Sequence, residues 1–424
     1  MALGPPERRT GQGGRLASGG VSTTSPVPVA APPREARRWP VARVGAVVLA
    51  VAALVLSVVL HATHPTALVT LLPSTDMREL HVDFDTFWHS AVALVHGDDI
   101  YATGAKLRNL NPPVLSVVLA PLAGLDPLVA YRIFALLTLL LVLGAVLVVC
   151  RELRLGRGWT VGAMLAMLVS SPLHGTLVLG QIYGLLLVAL VAGWIADRHG
   201  RAVLGGVLYG VAVALKPSLA PVLLLPLVQR RWPSFWAGVG GAAGATVVGA
   251  IAAGPSSALE WVRIGFGEPV PDVLDNAALP ALALRLGLPS AVGTVLGAVV
   301  LIGTLVWIAR HRGTDPGATA PWAVIAAGLL MSPISWHNYL LLLWPGILVV
   351  VARSTAGRTA RAWAAALLAL PVIPVSWGDL WSDGSPWSPL GRSLYCAILV
   401  AYWLTLLRTA STPQRANGTL AHTS

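Results

Sequence analysis

Apolar runs separated by short polar or arginine-rich segments fill the chain from residue 41 to residue 408. Most runs have no polar face, and several approach the roughly 20 residues that an α-helix needs to cross a bilayer. The pattern therefore predicts an all-α, polytopic membrane protein with about twelve transmembrane helices. These are expected at 41–60, 128–150, 159–171, 175–196, 202–215, 218–228, 233–254, 289–309, 320–334, 336–352, 362–376 and 391–408.

Several of these predicted helices are too short for a perpendicular crossing. The segments 202–215 and 218–228 have 14 and 11 residues. Either such helices stop partway and leave a cavity open to the outside, or their boundaries are misplaced. A membrane crossing at 112–125 would place the arginine clusters that follow on the outer side. We therefore expect a re-entrant or surface helix there, on the outer side.

Composition supports membrane insertion and excludes a soluble fold. Of 424 residues, 55% are hydrophobic and 11% are charged, against roughly 25% charged in soluble domains. Residues 1–40 are rich in Pro, Gly, Ser and Arg, and they are predicted to form a disordered tail, as are residues 409–424. The run 41–60 is too long for a signal peptide and has no small-residue cleavage site after it, so an uncleaved anchor is expected. The transmembrane domain is then 41–408.

The net charge of +11 is explained by topology. Arginine clusters lie between apolar runs, and placing all of them in the cytoplasm satisfies the positive-inside rule. Both termini are then cytoplasmic, and most acidic residues fall on the outer side. The charge therefore predicts a multi-pass protein of the plasma membrane and gives no reason to expect nucleic acid.

The polar segments outside the helices lie on the outer side, where we expect one active site built from several loops. The longest are 61–111 and 255–288. In the first, Asp83 and Asp85 precede an aromatic stretch at the membrane surface, where a carboxylate could act as general base on a sugar hydroxyl. An Asp-x-Asp pair leaves a divalent cation open, but no strand–helix alternation supports a nucleotide domain, so no metal or other cofactor is predicted. Alternatively the two acids are solvated or cap a helix, and Asp85 has ion-pair spacing with His89.

A series of short motifs follows in order along the chain. They are Asp83-Phe84, Phe87-Trp88, Ser90-Ala91, Gly97, Tyr101 and Pro112-Pro113; Gly180-Gln181-Ile182; Gly210 and Ala214-Leu215-Lys216-Pro217 to Pro221; Asp275-Asn276-Ala277-Ala278-Leu279-Pro280-Ala281-Leu282 with Arg285; and Ser332-Pro333-Ile334-Ser335-Trp336-His337. Together they resemble glycosyltransferase family 87, the actinobacterial GT-C enzymes that use polyprenyl-phosphate sugars. The resemblance implies a GT-C fold over roughly 41–408 and a catalytic carboxylate at Asp83. The family often has a His pair after Ser-Trp, whereas Asn338 follows His337 here.

Lys216 is the strongest candidate for holding a phosphate. It is one of two lysines, it precedes Pro217, and it lies between two short apolar segments at the predicted outer end. An ionisable residue at membrane depth is a functional candidate, and a cation beside a departing phosphate stabilises the developing charge. The alternative is a lysine that extends its ammonium from a helix end to the interface.

Further substrate contacts are expected from His337, Arg285, Gln181, Asn276 and Asp85. For the amides and the histidine the alternative is a structural hydrogen bond at a helix end. For Arg285 it is a pair with Asp275 or a lipid head group.

The resemblance implies transfer of one sugar, with inversion, from a polyprenyl-phosphate donor to a cell-envelope glycolipid or lipoglycan on the outer membrane face. Mannose is the favoured sugar, and arabinofuranose is the alternative. The expected partners are that donor, that acceptor and membrane lipids. A transporter or lipid flippase would also suit twelve helices, but the sequence shows neither related halves nor charged groups near the bilayer midplane.

Overall fold

The computed structural model describes residues 81–267, 269–272, 276–311, 319–353, 367 and 388–410. The predicted tail at 1–40 and the predicted anchor at 41–60 lie outside the described residues. The same is true of the predicted helix at 362–376, apart from Leu367, and of the predicted tail at 409–424, apart from two residues that extend the last helix.

The described part of the chain is almost entirely helical, and an isolated antiparallel bridge joins Asn276 to Trp336. The α-helices are α1 (Val82–His96), α2 (Pro113–Leu119), α3 (Pro127–Glu152), α4 (Arg157–Leu168), α5 (Ser171–Leu179), α6 (Tyr183–Arg198), α7 (Ala202–Leu215), α8 (Leu224–Val228), α9 (Trp232–Ala253), α10 (Pro255–Gly267), α11 (Leu279–Arg285), α12 (Ser290–Arg310), α13 (Ala320–Met331), α14 (Leu340–Arg353) and α15 (Ser388–Ala410). Short 3₁₀ helices cover Ala120–Leu122, Pro217–Leu223 and His337–Tyr339.

The uninterrupted apolar runs form helices close to their predicted bounds. Helix α7 coincides with the predicted 202–215, and α3, α9 and α12 begin and end within two residues of prediction. Arginines and prolines border these runs, and both residue types mark where an apolar helix ends. The all-α prediction is confirmed for the described residues.

The outer segments are more helical than predicted. The segment 61–111 was expected to be a loop and contains α1, and the segment 255–288 contains α10 and α11. The sequence of α1 mixes aromatic, acidic and small residues, so it lacks the continuous apolar run on which the prediction relied.

The predicted helix 175–196 is broken into α5 and α6, so that prediction was wrong. The break is at Gly180, whose φ of +71° ends α5 in the left-handed conformation that glycine adopts readily. A β-carbon at Gly180 would also overlap the side chain of Phe84 in α1. The close approach of α1 therefore excludes any larger residue at the break.

Two other predicted helices begin as 3₁₀ helices. In the predicted 218–228 the first part is the 3₁₀ helix Pro217–Leu223, which contains Pro221. Proline has no N–H to donate, so the regular α-helical ladder begins only afterwards. The predicted 336–352 likewise begins with the 3₁₀ helix His337–Tyr339 before α14.

Four helices among the described residues are long and apolar enough to cross a membrane, namely α3, α9, α12 and the Ser393–Ala410 part of α15. Helices α4 and α5, bent by 48° at their junction, together make a fifth candidate. Exposed side chains such as Leu136 in α3, Ile251 in α9 and Val295 in α12 are apolar, as expected for lipid-facing surfaces. The interior is formed by α13 and α14, where Trp322 and Trp344 are completely buried.

Glycines allow α7 and α9 to pack backbone to backbone. A β-carbon at Gly210 of α7 would overlap the carbonyl oxygen of Gly238 and come within 2.6 Å of the amide nitrogen of Ala242. Gly206 makes a similarly close approach to Ser234 one turn earlier. This is the small-xxx-small packing common between membrane helices, and it fixes the helix that ends at the candidate phosphate-binding lysine.

Ion pairs join several helices at the end that was predicted to be cytoplasmic. Arg198 in α6 contacts Glu152 at the end of α3, with N–O at 3.0 Å, and Arg231 before α9 pairs with Asp197. The arginine clusters that follow α3, α6 and α8 therefore meet at one end of the bundle.

We expect Gly210→Ala to lower the melting temperature of the detergent-solubilised protein by an amount equivalent to about 1–3 kcal/mol, because the added methyl forces α7 away from α9. Thermal unfolding monitored by intrinsic fluorescence measures the effect. Gly244→Ala is the matched control, since Gly244 is in α9 and open space surrounds its missing side chain. That variant should be neutral or slightly stabilising, because alanine favours helix more than glycine does. Equal melting temperatures for the two variants would contradict this account of the packing.

Candidate active site

Two short segments bring most of the predicted site residues together. One is the corner between α5 and α6, residues 180–182, and the other is the turn between α13 and α14, residues 332–339. The corner packs on the start of α1 through Gly180, and the turn packs on α5 through Gly175. Helix α1, the corner and the turn thus form one contiguous region.

Asp83 lies in the first turn of α1, where the helix dipole favours a negative charge. Gln181 at the corner donates a hydrogen bond from Nε2 to Asp83 Oδ2 at 2.6 Å. This bond stabilises the ionised carboxylate and fixes its direction. Asp83 is only partly buried, so an oriented carboxylate is presented at the surface of this region.

Asp85 does not join Asp83 in a common site. Residues two positions apart on a helix point to different faces, and Asp85 is buried, with its Oδ1 at 3.2 Å from His89 Nδ1 in the next turn. Asp85 thus contacts His89 within α1, and its substrate contact stays a prediction. Among the described residues there is also no group of three or more His, Cys, Asp or Glu side chains that could hold a metal ion.

Lys216 follows the last residue of α7 and is held by neutral groups. Its Nζ donates to Asn111 Oδ1 at 3.2 Å and lies 5.9 Å from the centre of the Tyr339 ring. The side chain is half-buried, so its charge is only partly exposed to water. The arrangement presents a cation beside the 332–339 turn, as a phosphate-binding role requires.

Asn111 is itself fixed by a network in the loop after α1. Asn111 Nδ2 donates to Asn109 Oδ1 at 3.3 Å, and Asn109 Nδ2 donates to Ser90 Oγ at 3.0 Å. Tyr101 donates from its hydroxyl to the Asn111 carbonyl at 2.9 Å. Burial, together with the nearby carboxylates, raises the pKa of the Tyr101 hydroxyl above its usual range, so the hydroxyl remains a donor. The loop therefore holds the Lys216 partner in one orientation.

The 332–339 turn connects the two charged groups. His337 is buried with 3% exposure, and its ring centre lies 5.2 Å from that of Tyr395 in α15. Tyr339 has its ring centre 4.8 Å from that of Tyr183, which begins α6 directly after the corner. The same Tyr339 ring lies near the Lys216 ammonium. Tyr339 is thus in contact with Tyr183, next to the corner, and near the lysine.

Asn276 hydrogen-bonds to the backbone of this turn, and Arg285 hydrogen-bonds to Asn276. Asn276 Nδ2 donates to the carbonyls of Pro271 and Pro333, and its Oδ1 accepts from the backbone N–H groups of Ala278 and Ser335. Arg285 donates to the backbone carbonyl of Asn276 at 2.8 Å. The Asn276 amide, predicted as a substrate contact, hydrogen-bonds to four backbone groups and links the segment before α11 to the turn; the substrate contact stays a prediction. The alternative partner of Arg285, Asp275, lies outside the described residues.

Sequence reasoning missed several residues that build the site. Asn109, Asn111, Tyr183 and Tyr339 contact or position the predicted residues, yet none was a candidate. Asn111 directly before Pro112 was the available signal, because a polar residue at the end of a loop and next to a helix start is well placed to contact a site. The two tyrosines give no such signal, since buried tyrosines are common in apolar cores.

A separate cavity of about 520 Å³ lies between α3, α6 and α7. Its walls are mainly apolar, and His199 and Arg201 lie at the end near the ion pairs. None of the predicted site residues lines it. The cavity and the candidate site are therefore different features of the bundle.

Comparison with known proteins identifies the protein family. The sequence model of glycosyltransferase family 87 matches residues 109–333, just over half of the chain. Asp83 and His337 lie outside the matched segment, and Gln181, Lys216, Asn276 and Arg285 lie within it.

Relatives of two activities are similar to the chain. An α-(1→3)-arabinofuranosyltransferase of Corynebacterium glutamicum is 26% identical over 225 residues, which cover 49% of this chain and 51% of the relative. A polyprenol-phosphate-mannose-dependent α-(1-2)-phosphatidylinositol mannoside mannosyltransferase of Mycolicibacterium smegmatis is 26% identical over 337 residues, 70% of this chain and 75% of the relative. An α-(1→3)-arabinofuranosyltransferase of Mycobacterium tuberculosis is 28% identical over 263 residues, 58% of this chain and 57% of the relative. The match thus spans little more than half the length of the arabinofuranosyltransferases.

The matched segment contains the α5–α6 corner, the lysine after α7 and the residues that hold the turn before α14. An apolar, helical chain with this arrangement fits a membrane-embedded transferase. The chain belongs to glycosyltransferase family 87.

Proposed function

We propose that the protein transfers one mannose unit, with inversion, from a polyprenyl-phosphate donor to a cell-envelope glycolipid or lipoglycan. The observation that carries the proposal is the hydrogen bond of 2.6 Å from Gln181 Nε2 to Asp83 Oδ2. An oriented and partly accessible carboxylate is what a general base needs. The lysine held by neutral partners near the same turn supplies the complementary charge for a phosphate.

In the proposed reaction the acceptor hydroxyl attacks the anomeric carbon opposite the phosphate. The bond between the anomeric carbon and the acceptor oxygen forms as the bond to the phosphate oxygen breaks, and the hydroxyl proton passes to Asp83. Lys216 stabilises the charge on the departing lipid phosphate, and His337 of the turn and Arg285 at the end of α11 are further candidate contacts for it. Because phosphate is a good leaving group, positioning and charge stabilisation supply most of the rate enhancement.

The proposed topology places this site on the outer face of the plasma membrane. In it the arginine-rich ends joined by the Arg198–Glu152 and Arg231–Asp197 pairs are cytoplasmic. Both termini are cytoplasmic, with tails at 1–40 and 409–424 and a GT-C domain of about twelve transmembrane helices at 41–408. Polyprenyl-phosphate sugar, acceptor lipid and the surrounding bilayer are the partners in this arrangement.

The comparisons support two donor sugars. Mannose is preferred because the mannosyltransferase relative matches 70% of this chain, against 49% and 58% for the two arabinofuranosyltransferases. Arabinofuranose, carried as polyprenyl-phosphate arabinose, is the second candidate, since the arabinofuranosyltransferases match at similar identity.

The donor is tested by incubating the purified protein separately with polyprenyl-phosphate mannose and polyprenyl-phosphate arabinose, in vesicles that contain envelope glycolipids. We expect a glycolipid whose mass is higher by one hexose with the first donor. If the glycolipid mass instead rises by one pentose, and only with polyprenyl-phosphate arabinose, the donor sugar is arabinose and not mannose. If neither product forms and labelled sugar crosses the vesicle membrane unreacted, the proposed activity is wrong and a transporter is favoured.

Asp83→Asn keeps the shape of the side chain and its contact with Gln181 but removes the base. We expect the turnover number for sugar transfer to fall by about 10²–10⁴-fold, with little change in melting temperature. Asp98→Asn, the same substitution at an exposed acid beyond α1, is the matched control and should retain wild-type turnover. Near wild-type transfer by the Asp83 variant would exclude this carboxylate as the base.

Lys216→Met removes the cation and keeps a flexible apolar stem of similar length. We expect kcat/KM for the donor to fall by about 10²-fold, because the charge that develops on the departing phosphate loses its counter-charge. Lys106→Met is the control at the other lysine of the chain, which is exposed in the loop after α1. This variant should have the same kcat/KM as wild type. If both substitutions lower kcat/KM equally, the effect comes from the reduced net charge of the protein and not from a lost phosphate contact.

A further inference from the structure

Asn338 lies at the centre of the site turn and is completely buried. It is the middle residue of the 3₁₀ helix His337–Tyr339, and its exposure is 0%. His337 precedes it, and Tyr339, which contacts both Lys216 and Tyr183, follows it. The side-chain amide is therefore enclosed within the region that carries the proposed catalytic groups.

Neither atom of the Asn338 amide has a hydrogen-bond partner among the described residues. Burying an amide without partners costs free energy, and such groups are uncommon in folded proteins. Gln181 Oε1 and Ser335 Oγ, in the same corner and turn, are also buried without a partner in the described part of the chain. The site thus contains hydrogen-bonding groups that the described part of the chain does not use.

The Asn338 amide points to the same small region as the imidazole beside it. A β-carbon at Gly175 of α5 would overlap Asn338 Oδ1 and lie 2.6 Å from His337 Nε2. The absence of a side chain at Gly175 therefore leaves room for both polar atoms. Helix α5 continues from there to the corner, where Gln181 holds Asp83.

We propose that Asn338 is a sugar-binding residue, whose amide donates a hydrogen bond to one hydroxyl of the donor sugar and accepts one from its neighbour. This inference rests on the proposed function, since a glycosyl donor supplies the hydroxyl groups. A side-chain amide has both donors and an acceptor, and each sugar hydroxyl can take either role. Sugar binding then satisfies an amide whose burial is unfavourable in the empty protein.

The test compares full-length wild type with Asn338→Leu, which has nearly the same shape and no polar atoms. Removing a buried amide that has no partner should leave the melting temperature equal or higher. We expect the same substitution to lower kcat/KM for sugar transfer at least ten-fold. A purely structural asparagine would not lose activity while keeping or gaining stability.

Tyr209→Phe is the matched control. The Tyr209 hydroxyl is also buried without a partner among the described residues, but Tyr209 lies in the middle of α7, where the charged groups that act on it are Asp197 and Arg231. This variant should retain both stability and wild-type kcat/KM. Asn338→Ala is the second variant in case leucine prevents folding. Wild-type kcat/KM in either folded Asn338 variant, or loss of activity only in step with loss of melting temperature in both, would overturn the proposal.

Donors that lack one sugar hydroxyl identify the group that Asn338 binds. A deoxy donor that reduces wild-type kcat/KM ten-fold should cause no further reduction in Asn338→Leu, because the interaction is already absent. The same reduction in both proteins for every deoxy donor would contradict the inference. Failure of the proposed function is distinguishable, since wild type would then transfer no sugar from either polyprenyl-phosphate donor.

Discussion

The contact between the start of α1 and the end of α5 determines where the proposed base lies. His81 donates from Nδ1 to the carbonyl of Val178 at 2.9 Å, and Phe84 fills the space that a side chain at Gly180 would need. Asp83 lies between these two contacts and meets the amide that follows the glycine. A shift of α1 by one residue would turn the carboxylate through about 100°. Backbone packing therefore sets the direction of the base before any substrate binds.

The other half of the site depends on a second backbone constraint, the engagement of Asn276 with the turn before α14. Its amide bonds the backbone of Pro333 and Ser335, 57 and 59 residues away. Hydrogen bonds to backbone atoms hold a turn whatever its side chains are, so the same turn can carry different polar residues at 337 and 338. The scaffold and the groups that it presents are thus separable, a property that suits a family whose relatives use different sugars.

Features set by a local sequence pattern were predictable, and features set by long-range contacts were not. Helix α7 was predicted to the residue, because a uniform apolar run ends at Lys216-Pro217. The break at Gly180 was missed because a single glycine within an apolar run does not by itself end a helix, and the contact that accompanies it here, with Phe84, joins segments almost a hundred residues apart. Asp83 and Lys216 became candidates because of their charge at the edge of apolar runs, together with the family resemblance, and their roles stay predictions. The backbone partners of Asn276 and the contact of Tyr339 with Lys216 were not predictable, because they join distant segments of the chain.

The neutral partners of Lys216 have a consequence for the order of events in the proposed reaction. Because an amide oxygen and an aromatic ring hold the ammonium, an arriving phosphate displaces no carboxylate. The proposed donor is a phosphodiester with one negative charge, whereas the lipid phosphate that would depart from it is a monoester with up to two. Lys216 therefore attracts the product more strongly than the substrate. The interaction that promotes bond cleavage also retains the spent carrier, which makes release of the lipid phosphate a natural slow step of the cycle.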